Sequence, residues 1–147
     1  MGSPVSTTSY EDTSVTNGTT YYYVVRASNG GGQSADSTEA SATPQVAPPT
    51  APTGLTVTAG DTSVALAWAA VSGASSYNVY RSSGASVGYE LQAAGVTATS
   101  YSDSGLTNGT SYSYRITAVN AGGESVISTS VDATPQLILV LGVAVTT

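Results

Sequence analysis

The feature that most constrains the fold of this chain is an internal repeat with a constant offset of 91 residues, the separation of Tyr10 and Tyr101. Residues 5–45 align without a gap with residues 96–136, and about half of the aligned positions are identical. Both copies contain Asn-Gly-Thr and both end in Ala-Thr-Pro-Gln. Repeats of this kind mark repeated structural units. Because the first copy has no counterpart of the residues before Val96, the sequence predicts one complete unit and the second half of another.

A proline-rich segment separates the two copies. Residues 46–52 read Val-Ala-Pro-Pro-Thr-Ala-Pro. Because proline fixes φ and cannot donate a backbone hydrogen bond, this stretch suits a stiff linker and not a central strand. The predicted organisation is a C-terminal half-unit at 1–45, the linker at 46–52, a complete unit at 53–136 and an apolar tail at 137–147.

Composition and periodicity both predict an all-β fold. Thr, Val and Tyr favour strands, whereas frequent Gly and Pro interrupt helices. In the complete unit, apolar residues alternate with small or polar ones, as in half-buried strands. The alternating positions are Val64, Leu66 and Trp68, then Tyr77 and Val79, then Tyr112, Tyr114, Ile116 and Ala118. Seven short strands, with a turn about every 8–12 residues, predict an antiparallel β-sandwich.

The order of these signals resembles a known family. The segments that carry the resemblance are 52–57 (PTGLTV), the strand of Trp68, 77–81 (YNVYR), 106–112 (LTNGTSY) and 118–125 (AVNAGGES). Together they resemble a fibronectin type III domain. The resemblance covers residues 50–136 in full, and residues 5–45 as the last three strands of such a domain.

The resemblance implies an immunoglobulin-like antiparallel β-sandwich of seven strands, with an incomplete second module. It also implies that Trp68 packs in the core and that Tyr112 forms the tyrosine corner, and by the repeat Tyr21 does the same in the first copy. The expected structural core is Trp68, Tyr77, Val79, Leu106, Tyr112 and Tyr21. The fold does not fix a function, and the Arg-Gly-Asp adhesion loop known from the family is absent.

Charge excludes two classes of partner. The basic residues are Arg26, Arg81 and Arg115 alone, against nine carboxylates, for a net charge of −6. Nucleic acids and anionic membrane surfaces are bound by clustered cations, so neither is expected as a partner, and no membrane span is predicted. Without cysteine the redox compartment cannot be read. No signal peptide is visible in the sequence, and an extracellular or cell-surface location is inferred from composition and resemblance.

The residue types argue against catalysis. Histidine and cysteine are absent, which removes the common triads and zinc sites. A pair of carboxylates remains conceivable, but the carboxylates are mostly near turns, where such residues serve as solvated caps, and none has the density of a calcium loop. The sequence therefore predicts no enzyme, no metal and no cofactor. The carboxylates are Glu11, Asp12, Asp36, Glu39, Asp61, Glu90, Asp103, Glu124 and Asp132.

Both Asn-Gly-Thr sequences fit the glycan-acceptor pattern, at Asn17 and Asn108. The favoured interpretation is a positive-φ turn before the long strand. Exposed tyrosines could bind carbohydrate or protein by stacking. Alternation places Tyr22 outward, and Tyr80 and Tyr89 are the other candidates.

The tail is apolar at nearly every position and too short for a membrane helix, which needs about 20 residues. It predicts either the opening strand of a further module or a strand that pairs with an open sheet in this chain or a neighbour. Its candidate assembly residues are Leu137, Leu139, Leu141, Val143 and Val145.

Three functions follow from these features. The leading one is a non-catalytic structural or spacer module of a surface or secreted protein. The second is a module that binds carbohydrate or another surface protein. The third is self-assembly into an oligomer or filament, because a half-module would expose an apolar face and an unpaired edge.

Overall fold

The computed structural model describes residues 5–83 and 88–137. The chain divides into two compact units, Met1–Val46 and Ala47–Thr147, called here the first and second unit. The division falls at the first residue of the proline-rich segment. The tail residues Leu139, Leu141, Val143 and Val145 lie outside the described residues.

The second unit contains two antiparallel sheets. Their strands are β5 (Thr56–Gly60), β6 (Ser63–Ala67), β7 (Ser76–Ser83), β8 (Glu90–Val96), β9 (Ser100–Ser104), β10 (Tyr112–Asn120), β11 (Gly123–Glu124) and β12 (Val131–Ala133). One sheet has the order β5-β6-β9 and the other the order β8-β7-β10-β11, with β12 also paired to β10. The prediction of an all-β, antiparallel fold is confirmed.

The strand count differs from the expected seven, because the described residues of the second unit form eight strand segments. The last two both lie on the same side of β10. Between them, the hydroxyls of Ser125 and Ser128 accept hydrogen bonds from the backbone N–H groups of Ala118 and Ile116, both at 3.0 Å. These hydroxyls accept the hydrogen bonds that backbone carbonyls would accept in a regular strand. The segment beside β10 is therefore divided into the two short strands β11 and β12.

The core of the second unit lies between its two sheets. Val64 and Leu66 of β6 face Val79 of β7 and Ile116 of β10, and all four are almost completely buried. The ring of Trp68 packs edge-on against Tyr77, with ring centroids 5.3 Å apart. Burying each large apolar side chain is worth about 1.5–3 kcal/mol, so this cluster supplies much of the stability of the second unit.

The first unit consists of two short antiparallel pairs. Strand β1 (Tyr21–Tyr23) pairs with β4 (Ala40–Ala42), and β2 (Ser28–Asn29) pairs with β3 (Gly32–Gln33). Nearly all of its described side chains are exposed. Its strands therefore form a single layer.

Candidate functional site

Among the described residues of the second unit, the one buried carboxylate is that of Asp103 on β9. It is 5% exposed and accepts hydrogen bonds from Arg81 Nη1 and from the hydroxyl of Tyr114, both at 2.9 Å. The guanidinium of Arg81 also lies 5.4 Å from the ring centre of Tyr112. Burial, together with the hydrogen bond to Asp103, raises the pKa of Tyr114 well above its ordinary value of 10.0. The phenol therefore remains a donor, and the cluster ties β7, β9 and β10 together.

Sequence analysis assigned the carboxylates mostly to solvated caps, and for Asp103 that interpretation is wrong. Two signals could have identified the cluster. Arg81 has the same strand parity as the inward residues Tyr77 and Val79, and the repeat places Asp12 at the position of Asp103. A charge on an inward position needs a partner, because burying it alone is costly.

The Asn-Gly turns have the expected backbone, since φ is +81° at Gly18 and +82° at Gly109. In the second unit the asparagine also makes tertiary contacts. Asn108 Oδ1 accepts from the backbone N–H of Thr62 at 2.9 Å, and its Nδ2 donates to Asp61 at 2.7 Å. The Asn108 side chain therefore holds the turn between β5 and β6. Its amide is already engaged, which does not favour use as a glycan acceptor.

A second carboxylate cluster lies on the outer face of the larger sheet. Glu124 accepts hydrogen bonds from the hydroxyls of Thr117 and Tyr80 and from Asn78 Nδ2. These donors, the Thr117 hydroxyl foremost, hold the pKa of Glu124 below its ordinary value of 4.5. A carboxylate with three donors is a stable anion, and such a group is poorly placed to act as a general base.

Five of the residues expected in the core are buried in the second unit. Trp68, Tyr77, Val79, Leu106 and Tyr112 belong to its buried cluster. The backbone N–H of Thr107 donates to the Tyr112 hydroxyl at 3.1 Å, which forms the corner that the resemblance implies.

Tyr21 accepts the matching hydrogen bond from Thr16, at 3.0 Å. It nevertheless remains half-buried. The structure departs here from the expectation of a core residue, because the described residues of the first unit supply no second layer of strands.

The candidate binding tyrosines do not form a shared platform in the second unit. Tyr80 and Tyr89 are half-buried. The Tyr80 hydroxyl is bound to Glu124, and the Arg115 guanidinium stacks 4.4 Å from the centre of the Tyr89 ring. Tyr22, which is 66% exposed, is free to stack on a ligand. Leu137, the one described residue of the candidate assembly strand, is 63% exposed.

The described residues offer little for chemistry. They contain no group of three or more side chains suited to hold a metal ion, and within them no helix is long and apolar enough to cross a membrane. A shallow concavity lies against β2 and β3, lined by residues from Ala27 to Ser34 that carry no titratable side chain. The fold of the second unit is thus an antiparallel β-sandwich in which Asp103 and Glu124 accept hydrogen bonds from side chains of neighbouring strands.

Comparison with known proteins gives the family. A model of the fibronectin type III domain matches residues 50–134, more than half of the chain. The chain belongs to the fibronectin type III family. A solved structure, an Fn3-like protein from Clostridium thermocellum, superposes with a TM-score of 0.53 at 34% identity, over 64% of this chain and 98% of that one.

Proteins named for different functions are among the relatives with similar sequences. Poly(3-hydroxybutyrate) depolymerase of Ralstonia pickettii is 54% identical over 88 residues, 58% of this chain and 17% of that protein. Amylopullulanase of Thermoanaerobacterium thermosulfurigenes is 43% identical over 88 residues, 59% of this chain and 5% of that protein. The tail tube protein of Bacillus phage SPP1 is 47% identical over 81 residues, 54% of this chain and 28% of that protein. The chain spans less than a third of each.

Proposed function

We propose that this chain is a non-catalytic spacer or accessory module of an extracellular protein. The observation that carries the proposal is that the named relatives have different functions. A segment of closely similar sequence occurs in a poly(3-hydroxybutyrate) depolymerase, an amylopullulanase and a phage tail tube protein. One module cannot supply the chemistry of all three, so it contributes a property that they share, such as the spacing of other domains.

The side chains support the same proposal. The buried carboxylate of Asp103 is neutralised by Arg81, and Glu124 is saturated by three donors. General acid–base catalysis needs a group near its working pKa within reach of a substrate. Asp103 is buried and out of reach of a substrate, and the donors around Glu124 hold the pKa of that carboxyl below its ordinary value of 4.5. An extracellular location is part of the proposal, because two of these relatives are named for acting on polymers too large to cross a cell envelope.

The proposal is tested by incubating the full chain with poly(3-hydroxybutyrate), pullulan and an insoluble glucan. Soluble products and the fraction of protein that sediments with the polymer are both measured. No product and no sedimentation are expected. Release of product that the Glu124→Gln variant abolishes would contradict a non-catalytic role.

Carbohydrate or protein binding through tyrosine is the second candidate, and Tyr22 is the observation that favours it, because it is exposed on a strand. Removing an exposed aromatic ring from a stacking site costs affinity that is easily measured. Sedimentation that Tyr22→Ala abolishes would establish this function in place of the spacer. The matched control is Tyr10→Ala, since Tyr10 is equally exposed, at 68%.

A further inference from the structure

The two units share one hydrogen-bond framework at the offset of the repeat. The register Tyr21↔Ala42 corresponds to Tyr112↔Ala133, and the short β2–β3 pair corresponds to the pairing of β10 with β11. The serine hydroxyls correspond as well, because Ser34 and Ser37 accept from the backbone at 3.0 Å just as Ser125 and Ser128 do. The first unit therefore has the backbone of the last strands of the module.

The apolar faces of these strands differ sharply between the units. Ile116 is completely buried, whereas Val25 at the corresponding position is 71% exposed. Ala118 is also completely buried, and the corresponding Ala27 is exposed. In the second unit β6 belongs to the sheet that covers this face, and β7 lies beside β10 in the same sheet. The first unit presents the same face without those strands.

In the second unit Asp103 and Asn108 bind the strands of the N-terminal half, and the first unit has the same residue types at the corresponding positions. Asp12 corresponds to Asp103 and accepts from the Tyr23 hydroxyl at 3.3 Å and from the backbone N–H of Ser14 at 3.0 Å. In the second unit the remaining donor is Arg81 of β7, and no arginine contacts Asp12 among the described residues. Asn17 corresponds to Asn108, which binds the turn between β5 and β6.

We propose that the face of the first unit formed by Asp12, Asn17, Tyr23 and Val25 binds the N-terminal half of a fibronectin type III module, a polypeptide with the pattern of residues 50–95. The occupant adds a strand like β7 to the free edge of β1, in the register that joins β7 to β10. Its arginine, placed like Arg81, pairs with Asp12. Its tryptophan-bearing strand packs toward Val25, and its Asp-Thr turn binds Asn17.

Polar complementarity is what identifies this occupant. A purely apolar strand would cover Val25 but would bury the Asp12 carboxylate without a cation, and an unpaired buried charge is strongly unfavourable. A second copy of the intact second unit already uses its Arg81 internally. A half-module with an unpaired arginine supplies a cation for the Asp12 carboxylate and apolar side chains that cover Val25.

The experiment attaches a second copy of residues 50–95 directly before Val5 of the full chain, which recreates the linkage found at residues 95–96. Amide hydrogen exchange of residues 22–27 is measured. In a covered strand these amides can exchange only when the whole module unfolds, so their exchange should slow on the order of 100-fold or more. Emission from the added tryptophan should shift to shorter wavelength.

Two controls make the test specific. In the added copy, Arg81→Ala should remove most of the protection, whereas Arg81→Lys should retain part of it. Protection that Arg81→Ala leaves unchanged would overturn the role of Asp12. Addition of the free peptide 50–95 to the unmodified chain is a second measurement that does not depend on how the fusion folds.

Other outcomes overturn the proposal as a whole. The first is that neither the fusion nor the peptide slows amide exchange at residues 22–27. The second is that exchange in the unmodified chain slows as the protein concentration rises, while light scattering gives a doubled mass. The second result would make another copy of the chain the occupant. It would support the self-assembly hypothesis instead.

Discussion

The first and second units share the Asn-Gly-Thr turn and matching backbone pairings, yet they differ in what those pairings enclose. Tyr114 is completely buried, while Tyr23 at the matching position is only half-buried. A hydrogen bond made in water contributes little net stability, whereas burial of apolar surface dominates folding. The comparison separates the geometry of the strands, which is local, from their stability, which depends on the opposite layer.

The largest expected difference comes from removing matched apolar side chains. Ile116→Ala should destabilise the second unit by about 2–5 kcal/mol, because it leaves a cavity in a packed core. Val25→Ala should change the stability of the first unit by less than about 0.5 kcal/mol, since the side chain is exposed. Denaturation followed by the single tryptophan reports the first variant, and hydrogen exchange reports the second. A comparable cost at Val25 would show that its face is covered in solution.

Matched aspartates provide the next comparison. Asp103→Asn should cost about 2–3 kcal/mol, somewhat below the usual cost of breaking a buried ion pair, because the Arg81 side chain retains 25% exposure. Asp12→Asn should be close to neutral, because Asp12 pairs with no arginine in the described residues. The measurement is the midpoint of urea denaturation at neutral pH. If Arg81→Met restores the stability lost in Asp103→Asn, the loss is due to the unpaired guanidinium.

The asparagines of the two turns should differ by a smaller amount. Asn108→Ala removes two tertiary hydrogen bonds and should cost about 1–2 kcal/mol. Asn17→Ala removes no tertiary hydrogen bond that the structure shows, and the effect should stay within about 0.5 kcal/mol. Thermal unfolding of each variant checks the prediction. Equal effects would mean that the turn itself, and not its contact with the β5–β6 turn, accounts for the stability.

The smallest difference is one of pH dependence. Because the pKa of Glu124 is lower in the folded protein than its ordinary value of 4.5, its contribution is present above pH 4.5 and is lost as the pH falls through the folded pKa. The first unit has Gln33 at the corresponding position. Glu124→Gln should therefore flatten the acid limb of the second unit's stability curve. An unchanged limb between pH 5 and pH 3 would assign the acid sensitivity to other carboxylates.

The sequence predicted the fold more fully than it predicted the polar contacts. Alternation along Tyr112, Tyr114 and Ile116 identified the central strand, because side-chain direction in a strand follows a period of two. The same alternation carried no information about which carboxylate would meet Arg81. Asp103 lies 22 residues away, so their contact depends on how the two sheets face each other.

The sequence by itself determined the local framework of this protein: the repeat, the positive-φ glycine turns and the strand periodicity. These features involve neighbouring residues or one hairpin, so they recur in both units. Only the tertiary structure decided which of two equivalent faces is buried and that Tyr80 and Tyr89 are engaged. It also decided that an arginine pairs with Asp103 whereas, within the described residues, none pairs with Asp12. The physical reason is that burial and ion pairing depend on the second layer of strands, which is present in one unit and absent from the described residues of the other.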